Sequence, residues 1–232
     1  MSEAQLAETR GLPAGAPHVL PWGIVLRSGN LWATLGVAFC YVYTLYFFQS
    51  WFHTYLVKAR GFSEQDLLLS SLPFLVAAGA NFAGGIVSNT LVKRLGLKWG
   101  RCGLGVVGLL GAAACAVAVM FTERQVETLI LLSLVYGGIT LQQPIMFAVC
   151  LDIGGEYAGG VVGAMNTAAQ IGSFVSSLAF GYLVDRFGSY NAPFIPMAAL
   201  LATGALLWLK VDPAKRLNPE SQEAGLVPVV AR

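Results

Sequence analysis

Charge is what this 232-residue chain has least of. Only 11% of its residues are charged, against about 25% in an average soluble protein. None of that charge falls inside six long apolar stretches that begin near Leu31, Leu68, Cys102, Thr128, Gly160 and Ala192. No Lys/Arg-rich run interleaved with aromatics is present, and the net charge is only +2, so no nucleic-acid partner is expected. The four cysteines (Cys40, Cys102, Cys115, Cys150) have neither metal-ligand nor redox spacing and read as small apolar packing residues. Residues 1–21 are polar and broken by proline, with no apolar signal core, so the first apolar stretch is expected to direct insertion. No metal-ligand cluster, phosphate loop or nucleophile–base arrangement is visible, and Ser176-Ser177 has no nearby base. An enzyme is not expected, nor is any cofactor or metal.

What is present is apolar length. Each stretch runs for about 18–25 residues, and a helix rising about 1.5 Å per residue needs about 20 to cross a hydrocarbon core of about 30 Å. The chain is 56% hydrophobic with 27 glycines, as close helix packing in lipid requires. The fold class read from this is an all-α polytopic membrane protein. Its six transmembrane helices cover about 31–54, 67–91, 102–121, 128–151, 160–184 and 192–209. Residues 1–30 read as a cytoplasmic leader, 31–210 as the six-helix bundle and 211–232 as a polar, disordered cytoplasmic tail. Between helices the expected loops are 58–66, 93–101, 152–159 and 185–191, with a short one around Glu123 and Glu127.

Cation placement sets the orientation. With a cytoplasmic N-terminus, the inside segments hold Arg10, Arg27, Lys93, Arg94, Lys98, Arg101, Lys210, Lys215, Arg216 and Arg232. The outside holds Lys58, Arg60, Arg124 and Arg186. Such a bias follows the positive-inside rule and puts both termini in the cytoplasm.

The second and fifth helices end alike. One runs from Gly85 to Asn89 and on to Lys93, Arg94 and Gly96; the other runs from Gly181 to Asp185 and on to Arg186 and Gly188. They are the middle helices of two triplets whose ends lie on opposite membrane faces, the inverted-repeat pattern of many secondary transporters. The fifth helix also carries small residues at four-residue spacing (Gly160, Ala164, Ala168, Gly172, Ser176), which permits close helix packing.

Several segments, in order, resemble the C-terminal half of the anion:cation symporter branch of the major facilitator superfamily, over about residues 21–212. Pro21-Trp22-Gly23 through Arg27 to Trp32 is similar to its central loop and entry to the seventh helix. Tyr46 to Phe52 with Thr54-Tyr55-Leu56, then Lys58 to Ser63, resembles that helix's outer end and following loop. Gly85, Asn89, Lys93, Arg94 and Gly96 resemble a conformational loop signature. Asp152 to Gly155, Gly159, Gly163 to Asn166 and Gly172 resemble the tenth-to-eleventh helix region. Asn89 stands where the signature usually has Asp, His53 where relatives commonly have Pro, and Phe147 where many have Trp. Nothing resembles the N-terminal six helices that supply the family's binding arginine and coupling carboxylates.

The resemblance implies one half of a sugar-acid carrier, working by alternating access with a proton. All twelve acids lie in tails, loops or at helix ends, so neither a proton carrier nor a buried cation is visible. His53, near the outer interface, reads as a snorkelling polar residue. A neutral lining remains for substrate: Tyr43, Tyr46 and Gln49, Gln142 and Gln143, Asn166 and Gln170, with Phe147 as an apolar wall. Amides and phenols bond hydroxyls and carboxylates without a buried charge. Tyr46 and Asn166 fall at positions the resemblance makes cavity-facing. Each of these groups also suits an interhelical hydrogen bond or aromatic packing. Pro144 frees a carbonyl and can kink its helix. The expected partners are the bilayer, a small organic anion, a proton, and an N-terminal six-helix half or a second copy. Transport by this chain alone is not expected; a complete homodimeric carrier and a non-transporting remnant or subunit are the alternatives.

Overall fold

The computed structural model describes residue 23, residues 27–63 and residues 69–217. The leader up to Trp22, Glu64 and Asp66 of the loop expected over 58–66, and the tail beyond Leu217 lie outside the described residues. Those described are helical, with no strand among them: α1 (Gly29–Ser50), α2 (Phe52–Arg60), α3 (Leu72–Val119), α4 (Gln125–Leu141), α5 (Gln143–Gly154), a 3-10 turn (Gly155–Tyr157), α6 (Ala158–Phe187) and α7 (Phe194–Lys210).

The first rod starts where Ser28 accepts a hydrogen bond from the Leu31 N–H at 3.3 Å, satisfying an orphan donor of the first turn. It bends at Trp51 and continues as α2, so Lys58 and Arg60 are helical rather than part of the expected 58–66 loop. Both cations complement the negative helix end, and Gly61, at φ 67°, is what stops it.

A 48-residue helix would be about 72 Å long, more than twice a hydrocarbon core. α3 is therefore broken, and the break is one residue: Gly96 takes φ 81° and ψ 170°, a conformation open only to glycine. Beyond it the chain doubles back. Ser88 Oγ donates to Gly100 O at 3.3 Å across an interval that would span about 18 Å in a straight helix. The loop expected over 93–101 is thus helical on both sides of a single-glycine reversal. A second reversal at Gly155 (φ 52°) and the 3-10 turn separate α5 from α6 in place of the expected 152–159 loop.

Among the described residues apolar length survives in three runs, Gly29–Ser50, Leu69–Val119 and Gln125–Phe187, with the shorter apolar helix Phe194–Lys210. Their outward faces are greasy: Phe82, Ile86, Val107, Phe174 and Leu206 are all exposed. In water such a surface would aggregate; in lipid it is matched to its solvent. Inside, an aromatic cluster around Phe47 joins Phe48, Phe52, Tyr55, Phe180 and Phe194, and Phe48 stacks on Tyr136 at 4.3 Å.

Two of the close helix crossings between the triplets are set by glycines. A Cβ on Gly84 would lie 1.9 Å from Leu141 O, and one on Gly172 would lie 2.6 Å from Phe39 O. The first arm of α3 therefore packs against the α4–α5 rod, and α6 against α1. Each triplet lends its middle helix to the first rod of the other, as two intertwined repeats would.

One further departure follows α7. The segment after α7, expected to be a disordered tail, is docked as far as Leu217. Val211, Pro213 and Leu217 are buried, and Leu217 N–H donates to Ile153 O at 3.0 Å. Asn30 holds the segment from the other side: its Nδ2 donates to Asp212 O at 2.9 Å and Lys215 O at 3.2 Å, while its Oδ1 accepts from Asp212 N–H at 2.8 Å.

Candidate substrate-facing site

The α4–α5 rod is jointed at Gln142, two residues before Pro144. Adjacent residues on a helix point about 100° apart, and here that angle separates two roles. Gln142 is 0% exposed and turns into the core, where its Oε1 accepts from Trp208 Nε1–H at 3.2 Å. Its Nε2 is buried without a hydrogen-bond partner. Gln143 turns toward the first arm of α3 and accepts a hydrogen bond from Asn81 Nδ2 at 3.1 Å.

The remaining predicted positions divide in the same way. Tyr43 is buried with the aromatic core of α1, so it does not join Gln143 on an open face. Tyr46 is half-buried and Gln49 exposed, one turn apart on α1. Phe147, one turn past Gln143, is 39% exposed, and Leu151, a turn further, is exposed too, so α5 shows one continuous open stripe. On α6, Asn166 and Gln170 are exposed, while Met165, Ala169 and Gly172 face inward. Gln170 Oε1 accepts from Ser173 Oγ–H at 3.0 Å. The described hydrogen bonds join none of the predicted site residues to another. A cleft of about 390 Å³ between α1 and α6 is lined by apolar groups, including Trp32, Phe39, Ala164 and Ile171, and contains none of them.

Asn81 was missed by sequence reasoning. The only signal was a lone amide inside an apolar run, whose partner lies 62 positions away.

The loop-signature residues sit together at the first reversal. Gly96 makes it, and Asn89, Lys93 and Arg94 are exposed around it. Gly85 has open space, with Pro144 Cβ at 4.0 Å. Nearby, Arg101 pairs with Asp152 at 2.9 Å, tying the start of the second arm of α3 to the end of α5. At the opposite end Arg60 reaches four neutral acceptors: Tyr55 Oη, Val119 O, Thr122 O and Asn191 Oδ1. With four of its five N–H donors occupied, it works as a clasp between helix ends rather than as an anion receptor. His53 is exposed near the same end.

Comparison with known proteins fits this architecture. The family model described as Major Facilitator Superfamily matches residues 2–177 and residues 98–232. The chain belongs to the major facilitator superfamily. Within the superfamily it is similar to a "Probable sulfoacetate transporter" of Cupriavidus necator, 36% identical over 214 residues, covering 91% of this chain and 49% of the relative. It is also similar to a "Probable galactarate/D-glucarate transporter" of Bacillus subtilis, 30% identical over 80% of this chain and 41% of the relative. The "Hexuronate transporter" of Bacillus subtilis is 27% identical over 81% and 46% respectively. The chain spans about half the length of the curated relatives it matches. As a superfamily member it is an integral membrane protein of a transporter family, not an enzyme.

Proposed function

We propose that this chain is the C-terminal six-helix bundle of a secondary active carrier for small organic anions of the sugar-acid kind. The two glycine reversals turn three helical runs and α7 into six crossings, about 31–54, 67–91, 102–121, 128–151, 160–184 and 192–209. These form two inverted triplets, with both termini on the cytoplasmic side of a bacterial inner membrane. Substrate is taken on the face bearing Tyr46, Gln49, Gln143, Phe147, Asn166 and Gln170, while Tyr43 and Gln142 brace it from the core. The reversal carrying Gly85, Asn89, Lys93, Arg94 and Gly96 acts as the conformational loop of alternating access. What supports this reading is that neutral polar side chains on three helices are left exposed or half-buried on a greasy bundle, whose relatives are named as transporters of sulfoacetate, galactarate/D-glucarate and hexuronate.

That face holds hydrogen-bonding groups but no cation and no protonatable acid, so a second bundle must contribute the charge chemistry of a proton-driven cycle. The chain alone is then inactive and pairs with an N-terminal six-helix half. Proteoliposomes containing this chain, with and without the first half of the Cupriavidus necator relative, test it under an imposed proton gradient. Accumulation of sulfoacetate or D-glucarate is expected only when both halves are present. Accumulation by this chain alone would sink the half-carrier reading.

A further inference from the structure

The bond between Asn81 and Gln143 uses only one edge of each amide. Asn81 sits on the first arm of α3 and Gln143 just past the joint of the α4–α5 rod. Their short reach is possible because Gly84, one turn along from Asn81, lets the two backbones nearly touch at Leu141. Asn81 Nδ2 donates to Gln143 Oε1 at 3.1 Å. Among the described residues, Asn81 Oδ1 and Gln143 Nε2 make no hydrogen bond. Both residues are half-buried, and Gln143 begins the open stripe that continues through Phe147.

An amide pair joined in this way always leaves one carbonyl acceptor and one NH₂ donor, whichever residue supplies which. A donor beside an acceptor matches an oxyanion with a hydroxyl group next to it. The carboxylate oxygen takes a hydrogen bond from the NH₂, and the hydroxyl gives one to the carbonyl. An oxyanion without that hydroxyl leaves the carbonyl unpaired as the site closes, a cost that discriminates against it.

We infer that Asn81 and Gln143 form a binding subsite for the hydroxy-acid end of the substrate, with Asn81 setting its preference for hydroxylated acids. This rests on the carrier reading above and adds to it a substrate class and a residue. Gln143 Nε2 holds the carboxylate, Asn81 Oδ1 reads the adjacent hydroxyl, and Phe147, one turn on, covers the carbon chain.

The test is a titration of the 232-residue chain in lipid nanodiscs, 15N-labelled at its glutamine side chains. D-glucarate carries the hydroxyls and sulfoacetate lacks them. The Gln143 signal is identified by its loss in Q143L. D-glucarate is expected to shift it in the wild type. N81L is expected to weaken that response by about tenfold, the value of one hydrogen bond, and to change the sulfoacetate response far less. N81D accepts from Gln143 Nε2 and leaves acceptors facing the anion, so both responses at Gln143 are lost. If Gln49 or Gln170 shifts while Gln143 stays still, the subsite is wrong and the carrier reading stands. A D-glucarate response equal in N81L and wild type removes Asn81 from the site. If neither anion moves any glutamine, this chain holds no subsite of its own and the inference fails, while the half-carrier reading is judged by the paired-half transport assay.

Discussion

Two neighbouring glycines should behave in opposite ways when each is replaced by alanine. Gly84 and Gly85 both lie in the first arm of α3, and the resemblance to a loop signature singles out Gly85. The packing singles out Gly84. A Cβ there would stand 1.9 Å from Leu141 O, where ordinary contact begins near 3.4 Å, so the two backbones must part by about 1.5 Å. No flexible side chain can yield instead. Separation on that scale also breaks the Thr140 Oγ–H bond to Ala77 O, at 2.9 Å, and the Asn81 bond to Gln143, at 3.1 Å. Overpacking costs about 1–3 kcal/mol where side chains can adjust, and a backbone-to-backbone clash belongs at the upper end, about 3 kcal/mol. For a chain of this size that corresponds to a fall in melting temperature of about 6–12 °C. At Gly85 the nearest atom is Pro144 Cβ at 4.0 Å, so G85A meets no clash and gains helix propensity of about 1 kcal/mol. Thermal unfolding of detergent-purified variants, followed by fluorescence-detected size exclusion, measures both. A G85A variant as destabilised as G84A would refute the reasoning.

Three further outcomes are expected. R60K keeps the charge at the Arg60 clasp but cannot span its four acceptors from one nitrogen, so a loss of about 2 kcal/mol is expected with faster hydrogen exchange over residues 52–61. Wild-type exchange in R60K would count against the clasp. N30A removes the three Asn30 hydrogen bonds to the segment after α7, so limited proteolysis should cut between Val211 and Leu217 in the variant while wild type resists. Resistance in both would show that burial of Val211 and Leu217 suffices without Asn30. In a cysteine-free background, a membrane-impermeant maleimide added outside whole cells should label H53C but not K93C; the reverse pattern would invert the topology.

The parts of the fold that were legible in advance are those fixed by solvent. Lipid strongly favours a helical backbone and excludes charge from helix interiors, so composition alone announced an all-helical chain of long apolar runs. The parts that were not legible depend on single contacts. Lys58 and Arg60 look like loop residues until Gly61 is seen to end the helix and Arg60 is seen to cap its neighbour. Residues 93–101 are polar enough to suggest a loop, yet one positive-φ glycine turns the chain and the flanking polar residues stay helical. The sequence around Val211 and Leu217 is too polar to announce a docked segment, because its anchorage is to Asn30 and Ile153, far away in the chain.

Candidate site residues suffered most from an unknown rotation. Where helices are apolar all round, no hydrophobic face tells the inward direction, so Gln142 and Gln143 were indistinguishable as letters. Packing distinguishes them. Trp208 takes Gln142 into the core, and the approach at Gly84 brings Asn81 to Gln143. The same crossing that makes Gly84 intolerant of a methyl group therefore also decides which amide is open. A substitution that separates these two helices should cost stability and remove the Asn81–Gln143 pair together. One that removes only the pair, such as N81L, should leave the crossing intact.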